Sequence, residues 1–323
     1  MLETKAARAV AGGFLFLVVL AIAGCATPLQ SERLSPAAFP DPVELTAVAF
    51  FPQDEYQCGP AALATVLGWA GIDIAPAALA PEVYLPARQG SLQLEMLAAA
   101  RRHGTVPYVL RPVLDDLLAE VKAGHPVVVL QNLAFSWYPK WHYAVVVGFD
   151  LARDEMVLRS GLERRHVVPL ATFERTWRRG DYWAVVVMPP DRLPHTALET
   201  SYLQAVVGLE RLQRWEDAAR AYRAAAARWP ESLGAQLGIG NSRYALKDIA
   251  GAERAYRAAA AAHPESGIAF NNLAQALADQ GRWREAEDAV TRALTLGGPH
   301  LNTFETTAAE IRGKKNTTAD KRE

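Results

Sequence analysis

The chain has 323 residues, of which 50% are hydrophobic and 21% charged, with a formal net charge of −1. That length suits two domains with ordinary cores, and so balanced a charge leaves no electrostatic footprint for nucleic acid. The histidines and cysteines show no metal-ligand spacing and no glycine-rich phosphate loop occurs, so neither a metal nor a cofactor is expected.

The N-terminus carries Lys5 and Arg8, then a largely apolar run from Ala9 to Ala23. A charged start followed by a short apolar stretch reads as a secretory signal. It is short for a membrane-spanning helix, which needs about 20 apolar residues. The run ends in "IAGC", Ile22 to Cys25, which resembles a bacterial lipobox. The resemblance implies removal of a signal peptide over 1–24 and lipidation of Cys25. A plain signal peptide and an uncleaved anchor helix are the alternatives. Ala26, rather than aspartate, follows the cysteine. The lipoprotein pattern then implies a periplasm-facing protein anchored in the outer membrane, with a linker over 25–42. Cys58 is the one other cysteine. With Cys25 lipidated it has no disulfide partner, and an unpaired thiol in an oxidising compartment is a liability unless buried or used.

From Val43 to about residue 190 short β-rich runs recur: "PVVVLQNL" at 126–133, "HYAVVVGFD" at 142–150, "EMVLRSG" at 155–161 and "YWAVVVMPP" at 182–190. Helical stretches start at Cys58, Ser91 and Val113. Ser91 is a good N-cap and Gly104 a good helix stop. Helices come first and strands cluster later, which predicts an α+β domain rather than a doubly wound sheet.

After a linker at 191–198 the strand signals stop and alanine becomes dense. "AARAYRAAAARWPES" at 218–232 returns as "AERAYRAAAAAHPES" at 252–266, a shift of 34 residues. A weaker third copy carries Ala286, Val290 and Ala293, and Trp215, Ile249 and Trp283 keep the same period. Small residues let paired helices approach closely and the aromatic fills the gap to the next unit. The pattern resembles the tetratricopeptide repeat, with three units over 199–300, and implies an all-α surface for a protein or peptide partner. Residues 301–323 read as a polar tail, disordered from Gly313.

Cys58 stands at the start of "CGPAALATVLGWAG". A helix N-terminus lowers a thiol's pKa, and Pro60 suits a first turn because its missing N–H has no partner there anyway. A thiolate nucleophile also needs a base. His142 is the best placed, at the mouth of the run "HYAVVVGFD". His103 adjoins a helix end, His125 lies in a turn, His166 alternates with apolar neighbours, His195 is in the linker, and His263 and His300 are among the repeats. Trp137, Tyr138, Trp141 and Tyr143 cluster around His142; they can line a substrate groove or pack in the core.

An upstream glutamine, Cys-Gly opening a helix, and a later histidine opening an apolar strand resemble the papain-like cysteine peptidases. The match is to the bacteriocin-processing, double-glycine leader peptidases over roughly 43–188, carried by "QDEYQCGPAAL", "GSLQLEMLAAARRHG", "AGHPVVVLQN" and "WHYAVVVGFD". The resemblance implies that Cys58 is the nucleophile and His142 the general base. It implies that Gln53 is the oxyanion donor together with the Cys58 backbone amide. Gln53 is five residues before Cys58 where the family has six, and Gln57 is the alternative. The family orients its histidine with an acid or asparagine on the next strand. Here that strand reads "EMVLRSG". If "LARD" is a hairpin turn pairing Asp150 with Glu155, position 142 faces about 161–163. Ser160 is then the near candidate, with a backbone carbonyl or water as alternatives.

The expected protein is an α+β papain-like peptidase domain over 43–190 followed by tetratricopeptide repeats, cleaving a peptide or protein substrate at the membrane. Transglutaminase-like or amidase chemistry would use the same residues. The rival expectation is a weak or inactive peptidase-like lipoprotein that works as a protein-binding scaffold.

Overall fold

The computed structural model describes residues 28–52 and 57–319. The signal segment, Cys25 and Gln53 lie outside the described residues. The first module is built on a seven-stranded antiparallel sheet in the order β4-β9-β5-β6-β7-β8. Its strands are β1 Val43–Glu44, β4 Val106–Val109, β5 Val127–Asn132, β6 Trp141–Asp150, β7 Glu155–Ser160, β8 Glu163–Pro169 and β9 Ala184–Met188. β1 pairs with the far end of β6, Val43 opposite Phe149, beyond the point where β5 stops at Val127 opposite Val146. A small separate hairpin pairs β2 Tyr84–Leu85 with β3 Gly90–Ser91.

Both faces of the sheet are covered, which explains why β5 reads as an unbroken apolar run. Helices α1 Cys58–Trp69, α2 Pro76–Val83 and α3 Gln93–Arg102 pack on one face against Val128, Leu130, Tyr143, Val145 and Val147. Helices α4 Leu114–Lys122 and α5 Leu170–Arg178 pack on the other against Val127, Val129, Ala144, Val146 and Phe149. The period-two alternation thus sends odd and even positions of β6 to opposite layers.

That alternation is broken once. Val146 faces Leu158 but Gly148 faces Val157, so Val147 is an extra residue on β6. Gly148 is required there because a Cβ would stand 2.4 Å from the carbonyl oxygen of Val43. Asp150 does pair with Glu155, but after the bulge Val145 faces Arg159. The register is one residue tighter at the mouth of β6 than a regular hairpin would make it.

The second module is a run of antiparallel helices: α6 Glu199–Arg211, α7 Trp215–Arg228, α8 Leu233–Ala245, α9 Ile249–Ala262, α10 Gly267–Asp279 and α11 Trp283–Leu296. The recurring "PES" supplies N-caps. Ser232 Oγ accepts from the Ala235 amide at 3.1 Å and Ser266 Oγ from the Ala269 amide at 3.3 Å. Such caps are worth about 1 kcal/mol each. The repeated alanines, Ala218, Ala225, Ala252, Ala259, Ala286 and Ala293, are fully buried.

One expectation is corrected, and two expected linkers are docked on the fold. The polar tail is helical: α12 spans Leu301–Ala319 and buries Phe304, Ala308 and Ile311. Their spacing makes one narrow apolar stripe that closes the end of the helical stack. The stretch expected as a linker from Cys25 is docked from Leu29 on. Buried Glu174 accepts from the amides of Gln30 at 2.6 Å and Ser31 at 2.8 Å, and Phe39 packs edge-on against Phe149. The 191–198 segment is likewise fastened. The fully buried Glu120 carboxylate accepts from the amides of His195 and Thr196 and from the Thr196 hydroxyl, with His125 Nδ1 at 2.6 Å. Ala197 and Tyr202 then join the core of the first module, so the two modules share one apolar layer. Among the described residues no helix is long and apolar enough to cross a membrane.

Candidate active site

Cys58 is the first residue of α1 and Pro60 stands in its first turn, as its lack of an N–H allows. The helix start abuts β6. Burial pushes the Cys58 thiol above its ordinary pKa, and the backbone amides of Tyr143, Gly59 and Cys58 itself offset only part of that rise. The interaction with the Tyr143 amide sets the sulfur against the start of β6. The Tyr143 hydroxyl is pushed up in turn, by burial and then by Cys58, and it donates to the Ser91 carbonyl oxygen at 3.2 Å.

Cys58 and His142 line one open cleft of about 880 Å³. One wall is the β2–β3 connection with Ser91, and the other is Tyr138, Lys140 and Trp141. His142 Nε2 lies 2.8 Å from Ser160 Oγ. The β6 bulge makes this contact. With Val145 opposite Arg159, Ser160 comes opposite Ala144, on the face His142 shares and two residues along. A regular hairpin would set Ser160 opposite Val145, on the wrong face. The other ring nitrogen, Nδ1, has no hydrogen-bond partner among the described residues. Burial lowers the His142 pKa to about 4, and the nearby charges of His166 and Lys140 add to the effect. At neutral pH the cleft therefore holds a neutral thiol and a neutral imidazole.

The first module matches the Peptidase C39-like family over residues 45–184, and the second matches the tetratricopeptide repeat over 203–253 and 237–299. The chain is a C39-like peptidase domain followed by tetratricopeptide repeats. Similar solved structures include a C39-like peptidase from Bacillus anthracis, 20% identical, covering 46% of this chain and 98% of that one at a TM-score of 0.39. Another is the peptidase domain of Streptococcus ComA, a bifunctional ABC transporter, 21% identical, covering 44% and 98% at a TM-score of 0.37. A third is the Yersinia enterocolitica type III secretion chaperone SycD with a peptide of YopD, 18% identical, covering 40% and 99% at a TM-score of 0.34. No curated protein matches the chain.

Within the C39-like domain the other histidines are engaged elsewhere. His103 Nε2 sits 2.9 Å from Glu82, His125 Nδ1 2.6 Å from Glu120, and His166 Nδ1 3.1 Å from Glu163. Gln57 precedes α1 without capping it and is not among the residues lining the cleft. Arg159 turns inward, its guanidinium donating to the carbonyl oxygens of Arg164 at 2.6 Å and Val48 at 3.4 Å. The four clustered aromatics divide. Tyr143 is core, while Trp137, Tyr138 and Trp141 are exposed.

The C39-like cleft also uses residues that sequence reasoning assigned otherwise. Ser91, expected to cap a helix, lies in β3, and α3 starts two residues later at Gln93. Its buried Oγ has no partner among the described residues, and it rests on Gly59, where a Cβ would stand 2.2 Å from that oxygen. The turn signal Pro86 to Gly90 before it could have shown that the helix had not yet begun.

Proposed function

We propose that this protein is a cysteine peptidase. Cys58 attacks a peptide carbonyl, His142 takes the thiol proton through Nδ1 and passes it to the leaving amine, and water resolves the thioester. Ser160 orients the imidazole. For Nδ1 to be the base, Nε2 must carry the ring hydrogen, which Ser160 Oγ accepts. The developing oxyanion is held by the Cys58 amide and by Gln53. The observation that carries the reading is the shared cleft. Cys58 and His142 line it together, and Ser160 holds the far side of the ring.

The tetratricopeptide repeats recruit a peptide or protein, either the substrate or a partner. Cys25 is the lipid-bearing residue and holds the protein at the periplasmic side of the outer membrane. Because the chain is docked from Leu29 on, that anchor places the peptidase domain itself close to the bilayer. Incorporation of labelled palmitate, lost in Cys25→Ser, tests the anchor.

A second reading is favoured by the raised thiol and the lowered imidazole, since neither promotes an ion pair. Here the domain is a weak or inactive peptidase and the protein is a membrane-held scaffold. Alkylation of Cys58 by iodoacetamide at pH 7 separates the two. Labelling that is slowed in His142→Ala supports the peptidase. Labelling that is unchanged in His142→Ala supports the scaffold.

A further inference from the structure

The β5–β6 connection, residues 133–140, carries an unusual load of exposed aromatic surface. Trp137 is 81% exposed, Tyr138 71% and Phe135 64%. Large apolar groups gathered in one exposed place mark an interaction site. The rings form a continuous shelf. Phe135 and Trp137 stack at 5.5 Å with planes 9° apart, and Tyr138 follows Trp137 at 6.2 Å.

The shelf is built rigidly. The side chain of buried Asn132 accepts from the amides of Ala134 at 3.0 Å and Lys140 at 2.9 Å, and its Nδ2 donates to the Phe135 carbonyl oxygen at 3.3 Å. Arg179 Nε donates to the Asn132 carbonyl oxygen at 3.0 Å. The loop thus spends its polar groups on holding the rings outward. Its inner end, Tyr138 to Lys140, joins Trp141 of β6 in the wall of the cleft that holds Cys58 and His142.

We propose that the Phe135–Trp137–Tyr138 shelf is a specificity subsite of that cleft and takes a large apolar side chain of an extended peptide substrate. The inference rests on the peptidase reading. An extended peptide advances about 3.3 Å per residue, so the ring-to-ring steps of 5.5 and 6.2 Å span about three residues beyond Tyr138, and the probes vary the side chains two to four positions from the scissile bond. Continuity with the cleft favours a peptide over a lipid surface. The opposite wall offers Arg88, Gln89 and Gln93, polar groups suited to a peptide backbone, whereas a bilayer contact wants an unbroken apolar face.

The test uses epoxysuccinyl peptides bearing Phe or Ser at these positions on either arm, with the full-length protein. The Phe probe should alkylate Cys58 about tenfold faster than the Ser probe, through a lower KI rather than a higher maximal rate. The preference should fall below about twofold in the Trp137→Ser, Phe135→Ser double variant. Equal rates for the two probes, or a preference that survives in the double variant, overturn the inference. If iodoacetamide labels Cys58 as fast in His142→Ala as in the native protein, the peptidase reading fails instead. The shelf is then judged by binding. Quenching of Cys58→Ala tryptophan emission by a Phe-bearing peptide amide, lost with Trp137→Ser, supports it, and no quenching overturns it. An emission shift produced by phosphatidylglycerol vesicles but not by the peptide makes the shelf a membrane contact and also overturns it.

Discussion

Replacing Ser160 with aspartate places a negative charge against His142 Nε2, where the hydroxyl now sits at 2.8 Å. Two opposite charges about 4 Å apart attract by about 4 kcal/mol at the effective dielectric of a partly buried site. Burying the new carboxylate takes back part of that, and an opposite charge this close shifts a pKa by about 1–3 units. His142 should rise from about 4 into the range of about 5–7. The population of thiolate paired with imidazolium should rise by the same factor, about 10- to 1000-fold, and alkylation follows it less steeply because a less basic thiolate is a weaker nucleophile. The assay is iodoacetamide labelling of Cys58 from pH 5 to pH 9, with the His142 ring titrated by NMR. The native protein should label faster throughout as pH rises, because its thiol is raised. The aspartate variant should label at least about tenfold faster at pH 6–7 and level off at lower pH. An unchanged rate together with an unchanged ring pKa would falsify the claim that Ser160 contacts the imidazole and that its lack of charge limits the thiol.

Folded His142 protonates near pH 4 and an unfolded histidine near 6.5, so as pH falls from 7 to 4 the unfolded chain gains its proton first. His142 then subtracts about 3 kcal/mol of stability across that window and nothing above it. Urea unfolding at pH 4 and pH 7 should show a loss that His142→Gln lacks. Gly59→Ala should cost about 1–3 kcal/mol because its Cβ would stand 2.2 Å from Ser91 Oγ and 2.6 Å from Ser91 Cβ. Thermal unfolding should show much of that loss recovered in the Gly59→Ala, Ser91→Gly double variant. Phe304→Ala should cost about 3–5 kcal/mol, since the ring is buried at the end of the helical stack; circular dichroism during urea unfolding should show helix lost earlier, and an unmoved midpoint would mean that α12 does not cap the repeats.

The strands that sequence reading found and missed differ in a physical way. β5, β6, β7 and β9 are buried runs of valine and methionine, and burial is what apolar pattern reports. β4 escapes the pattern because it contains Pro107, which argues against a strand. It is tolerated there because β4 is the edge of the sheet and pairs only with β9. The two-residue strands β1, β2 and β3 are too short to show a period at all. α12 reads as a polar tail because only one narrow stripe of it is apolar among threonines and lysines.

The sequence by itself determined what local chemistry controls. Cys58 opens a helix because Pro60 suits a first turn, His142 stands at the start of a strand because valines follow it, and the repeats are set by small residues in a fixed register. Long-range register was decided only in three dimensions. No local signal in "HYAVVVGFD" marks Val147 as the extra residue, since a bulge is selected by where β1 crosses Gly148 as much as by the strand itself. Yet that one residue brings Ser160 onto the face of His142. The aromatics were sorted in the same way. Tyr143 and Trp141 belong to one strand, but only the packed sheet puts the first beneath α1 and leaves the second at the open cleft, because burial depends on what lies opposite and not on the side chain's own hydrophobicity.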